Sequence, residues 1–96
     1  MPYVEPEEVT SPKRRWNLIT VLYNGGANEW SVAIGTFDGQ KSLAVRWNGN
    51  EHNLLGSPQA RGNATWLMVD PAFNEAILSV VAGSQRQLAN TLLAQR

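Results

Sequence analysis

Residues 29–48, EWSVAIGTFDGQKSLAVRWN, alternate between two kinds of side chain on either side of an Asp-Gly pair. Period-two alternation is what a strand with distinct faces looks like in sequence. Asp38-Gly39 between two such runs is a strong hairpin signal, because a tight hairpin turn needs positive φ at both central positions. Trp30, Val32 and Ile34 share one face of the first run; Glu29, Ser31, Ala33 and Gly35 share the other. In the second run Leu43, Val45 and Trp47 oppose Ser42, Ala44 and Arg46. Just upstream, Trp16–Tyr23 (WNLITVLY) is β-branched and aromatic on both faces, and NGGAN at 24–28 supplies turn residues. Three antiparallel strands in a meander follow, so this chain cannot be all-helical.

The remaining elements attach to that meander. Residues 49–63 (GNEHNLLGSPQARGN) are rich in Gly and Asn, an unusually long connection for a compact domain and a candidate recognition element. Thr65–Val69 reads as a short fourth strand. Asp70-Pro71 starts a helix, a capping carboxylate followed by proline where the missing N–H costs nothing. Phe73, Ala76, Ile77, Val80 and Val81 then recur at helical spacing, and Gly83 is expected to end that helix. Ser84 and Gln87 predict a capping box opening a second helix over 85–95, with Leu88, Ala89, Leu92 and Leu93 apolar. The expected fold is α+β: a four-stranded antiparallel sheet covered on one face by one or two C-terminal helices.

Ninety-six residues with 43% hydrophobic content suit a single domain. Residues 1–13 hold three of the five prolines and no periodicity, and are expected to be a disordered leader ahead of a domain spanning 14–96. Charge divides at the same place. Glu5, Glu7 and Glu8 precede Lys13 with no base, while all eight bases and only five acids lie from Lys13 onward. A mildly basic body therefore follows an acidic leader. The absence of cysteine excludes disulfides, thiolate metal sites and thiol catalysis. No long apolar run occurs and no charged-then-apolar leader opens the sequence, so a cytoplasmic protein without a membrane segment is expected.

Enzyme chemistry finds little support. His52 is the only histidine, and Glu51 is the only acid close to it in sequence, so neither a metal site nor a catalytic triad is marked. A hydrolytic centre on His52 would need a Ser and an acid that no spacing selects. Neither phosphate-binding glycine pattern occurs. No cofactor is expected.

The tryptophans and arginines are more informative. Trp30 and Trp47 read as core aromatics on the helix-covered side. Alternation then sends Arg46 to the opposite face, expected to be open. Trp66 belongs either to the core or to an open face or interface, because Thr65, Leu67 and Val69 compete with Ala64, Trp66 and Met68 for the buried stripe. An open face bearing Arg46, with Lys13, Arg14 and Arg15 at the entry of the first strand and Arg61 in the long loop, would suit single-stranded nucleic acid. Cations would track phosphates, and Trp66 would stack a base. His52 and Asn53 would add polar loop contacts.

The order of elements, with Arg61-Gly62-Asn63 leading into Ala64–Val69 and then Asp70-Pro71, resembles the positive-cofactor-four and Whirly type of single-stranded-DNA-binding domain over residues 14–82. That resemblance implies a concave basic sheet and a homodimer built on the helical stripes, here Phe73, Ile77, Val80, Leu88 and Leu92. The leading expectation is a small non-enzymatic domain binding single-stranded DNA or RNA. The alternative is a protein–protein interaction module with no nucleic-acid role.

Overall fold

The computed structural model describes residues 3–95; Met1 and Pro2 of the leader and Arg96 of the body lie outside the described residues. Strands β1 (Trp16–Asn24), β2 (Trp30–Phe37) and β3 (Gln40–Trp47) form the antiparallel meander. Asp38 and Gly39 make its tight turn at φ of 51° and 86°. A small hairpin, β4 (Gln59–Ala60) with β5 (Asn63–Ala64), interrupts the long connection, and β6 (Leu67–Met68) pairs with β3. The main sheet runs in the order β1-β2-β3-β6, and two helices follow it. This is the α+β architecture expected.

Pairing places Trp30, Val32 and Ile34 opposite Trp47, Val45 and Leu43, and Ser31, Ala33 and Gly35 opposite Arg46, Ala44 and Ser42. The first set faces the helices. There Leu22, Val32, Ile34 and Leu43 pack against Leu78, Val81 and Ala89. Each Leu, Val or Ile side chain among them taken fully from water is worth about 1.5–3 kcal/mol. Two irregularities in β1, between Leu18 and Thr20 and between Val21 and Tyr23, break its strict alternation. As a result Val21 packs on the second face, while Leu22 and Tyr23 both serve the helix side.

The second face is not open, and here the sequence expectation is corrected. Val9, Trp16, Ala33, Ala44 and Trp66 form a second buried cluster against it. The leader supplies part of this cover instead of being disordered. Pro6–Glu8 forms a single 3-10 turn with Pro6 buried, and Val4 donates its backbone N–H to Leu54 O at 2.9 Å. Ser11 bridges Thr65. Bulky Trp16 and Trp66, with ring centroids 6.4 Å apart, require that cover, because two large rings on a sheet face cost too much apolar surface to leave wet.

The helices also depart from expectation. Asp70 caps as predicted, its carboxylate accepting from the Ala72 N–H at 2.9 Å. The segment it opens is shorter than the apolar periodicity implies: a 3-10 turn at Pro71–Phe73, then α1 over Asn74–Leu78 only. Ser79 Oγ donates back to Ala76 O at 2.6 Å, and two β-branched valines follow, both unfavourable to continuing the helix. Gly83 does not stop a helix but begins α2 (Gly83–Ala94). Ala82 is its N-cap with no side-chain capping bond, so the Ser84–Gln87 capping box does not form. Arg86 instead reaches back, donating from Nε to Leu78 O at 3.1 Å and from Nη2 to Val81 O at 3.0 Å. Among the described residues no helix is long and apolar enough to cross a membrane.

Candidate functional site

Arg46 lies on the face alternation assigns to it, yet it is 0% exposed. Its Nη1 donates to Thr65 O at 2.5 Å and its Nη2 to Leu55 O, while among the described residues no carboxylate pairs with it. Burial alone holds its guanidinium below the ordinary arginine range. Gly56, at φ 63°, lets the loop backbone come within reach of that guanidinium. The side chain is a strut tying the long loop to the sheet. Trp66 is 3% exposed, and its indole Nε1 donates to Val9 O at 2.7 Å. The open-face placement expected for Arg46 as a phosphate contact and Trp66 as a base platform is therefore corrected: both side chains are internal.

The other predicted contacts do not converge. Arg14 and Arg15 are exposed at the start of β1. Arg15 is committed to Asp38 through two bonds of 3.0 and 2.7 Å, and its Cζ sits 4.6 Å from the Phe37 ring centroid. The same ion pair holds the Asp38 carboxyl below its ordinary range, chiefly through the Arg15 hydrogen bond. His52 and Asn53 belong to the opposite end of the sheet. Asn50 Oδ1 accepts from both their backbone N–H groups at 2.8 Å, and Asn50 Nδ2 donates to Asn28 Oδ1 in the β1–β2 turn. Nine-residue β1 separates the two ends by about 26 Å. Arg61 is exposed at the tip of the β4–β5 hairpin, in the left-handed region at φ 55°.

A buried polar knot ties the end of β3, where the long loop begins, to the β1–β2 turn. Asn48 is fully buried; its Nδ2 donates to Gly26 O at 2.8 Å and Asn24 Oδ1 at 3.0 Å, and its Oδ1 accepts from Ser31 Oγ at 2.7 Å. Fully satisfied networks of this kind fix one conformation. The loop itself is tied to β3 through Arg46 at Leu55 O and through the Trp47–Ser57 bridge. His52 is solvent-exposed with Glu51 Oε1 at 3.5 Å, and among the described residues no group of three or more His, Cys, Asp or Glu could hold a metal ion.

The concave apolar site lies on the helix side, where the short α1 leaves one end of the sheet uncovered. Tyr23, Trp30, Val32 and Val45 form its floor and one wall, and Ala76, Ile77 and Val80 the other. Its volume is about 380 Å³, within the usual range of ligand pockets. Trp30, expected in the core, is 52% exposed, and Val80 is 56% exposed. Glu29 stands at the rim and carries the one charge among the described residues lining the groove. Of the side chains expected at a dimer interface, Phe73, Val80 and Leu88 are exposed, whereas Ile77 and Leu92 pack against the helix-side core. Sequence periodicity had placed Trp30 on the correct side; the length of the lid decided its exposure.

Compared with known proteins, the chain matches no family model, no curated sequence and no solved structure.

Proposed function

We propose that this protein is a small non-enzymatic binding module that receives a bulky apolar side chain of a partner polypeptide in the Tyr23–Trp30–Val80 groove. The observation that carries the reading is Trp30: half-exposed, beside exposed Tyr23, over a preformed apolar concavity. Accessible Trp and Tyr on a rigid sheet are the side chains that dominate binding energy at protein interfaces. Strands supply the rigidity here, since Val32 and Val45 pair directly beneath the site.

A nucleic-acid ligand would have fewer groups to meet. With Arg46 and Trp66 buried and Arg15 engaged by Asp38, the cations of the expected set that stay exposed outside an ion pair among the described residues are Lys13, Arg14 and Arg61. Three charges, at the start of β1 and at the β4–β5 tip, give modest counterion release, which supplies most non-specific affinity for nucleic acid.

The test uses the full chain and a neutral capped peptide, acetyl-Ala-Phe-Leu-Ala-amide, with binding read as broadening of the peptide's phenyl resonances. The proposal expects broadening by wild type that is largely lost with Val80→Asp and Trp30→Ala, both folded variants by circular dichroism. Broadening unchanged in both variants, or its absence in wild type alongside salt-sensitive binding of a short oligothymidylate, overturns it.

A further inference from the structure

We infer that the occupant of the groove is a segment of a different polypeptide in which lysine or arginine flanks the apolar side chain, and not a second copy of this chain. The inference rests on the groove being the recognition surface and concerns which partner it selects.

Charge around the site is one-sided. Glu29 is exposed at the rim and forms no ion pair among the described residues. The opposite wall, Ala76, Ile77 and Val80, is uncharged; Glu75 lines a separate concavity beside Arg86, and Asp70 caps the Ala72 N–H. The stretch from Tyr23 to Ile34 that builds the near wall carries Glu29 and no base. Arg46, next to Val45 in sequence, points through the other face and is buried. The groove therefore offers apolar contact beside a single unpaired carboxylate, Glu29, complementary to a cationic, apolar segment.

The same arrangement disfavours self-association through this surface. A two-fold related copy would bring the same patch to face itself, and because that patch holds Glu29 and no base, neither copy's Glu29 would meet a cation across the contact. A carboxylate buried at an interface without a partner selects against that contact. The basic Lys13-Arg14 pair of another copy lies at the far end of β1, so it could reach the groove only in head-to-tail contact, which does not close into a dimer.

A charge series on one scaffold tests this. The full chain is titrated with acetyl-Lys-Phe-Leu-Lys-amide, the neutral acetyl-Ala-Phe-Leu-Ala-amide and acetyl-Glu-Phe-Leu-Glu-amide at low salt, and again with Glu29→Gln. The expected order is basic, then neutral, then acidic, with roughly threefold between steps from a rim charge pair. That spread should contract in Glu29→Gln and at high salt, while the neutral peptide is unaffected. Equal binding of the three peptides, or a spread that Glu29→Gln leaves intact, overturns the inference while leaving the groove as a binding site. Binding by none of them removes the groove itself and the inference with it. Sedimentation showing a concentration-dependent dimer that Trp30→Ala abolishes also overturns it, by naming the second copy as occupant.

Discussion

Trp66 donates its indole N–H to the carbonyl oxygen of Val9 at 2.7 Å, joining residues 57 positions apart across the sheet face opposite the helices. This bond, with the Ser11–Thr65 bridge, makes the acidic leader a structural layer. Trp66→Phe keeps most of the ring's packing but leaves Val9 O without its donor. It should cost about 1–2 kcal/mol and raise amide exchange selectively in residues 4–12. Exchange rising uniformly over the whole chain instead would show that the bond does not hold the leader in particular.

Arg46 and Arg61 look alike in sequence and should behave oppositely. Arg46→Ala removes both donors from Leu55 O and Thr65 O and empties a fully buried position, so a loss of about 2–4 kcal/mol in denaturant unfolding is expected. Arg61→Ala, at an exposed hairpin tip, should stay within about 0.5 kcal/mol of wild type. Similar effects from the two substitutions would contradict the strut role of Arg46.

Gly35 lies under the Trp16 ring. An added Cβ would fall 2.7 Å from the ring and would collide with Asn17 O on the neighbouring strand. Because the strand backbone cannot yield, Gly35→Ala should destabilise by about 1–3 kcal/mol, the usual range for overpacking. Near-neutral thermal unfolding of this variant would mean that Trp16 does not occupy the second face as described.

The Arg15–Asp38 pair sets a pH dependence. Asp38 has its pKa lowered in the folded state, so its contribution is present above the unfolded carboxylate value of about 3.9 and disappears as pH falls through the depressed folded value. The stability gap between wild type and Arg15→Gln should therefore be constant near neutrality and close in acid. A gap that persists unchanged to the acid limit would assign it to Arg15 stacking on Phe37 instead.

What the sequence reveals and what it conceals divide along a physical line. Pleat alternation and the Asp38-Gly39 turn are local, and they place Trp30, Val32, Val45 and Arg46 on their correct faces. Coverage of those faces is not local. Arg46 reads as a surface cation because its partners are backbone carbonyls of Leu55 and Thr65, which carry no sequence signature. Val9 reads as part of a disordered leader because its burial depends on Trp16 and Trp66, elements that do not neighbour it in sequence. Periodicity through Val81 suggests a lid long enough to bury Trp30, yet Ser79 and the paired valines end α1 early. The groove exists because of that shortfall, and a signal for it was available only in the β-branched pair after Ser79.

The central claim is that recognition takes place at the helix-side groove and not on the face that holds Arg46. Backbone and indole amide shifts of the full-length protein, followed while acetyl-Lys-Phe-Leu-Lys-amide is added, test it most directly. The account predicts the largest changes at Tyr23, Trp30, Val45, Ile77 and Val80, with the Trp66 indole and residues 46 and 55 unmoved. Changes centred on Arg14, His52, Asn53 and Arg61, or on the Trp66 indole, would contradict it.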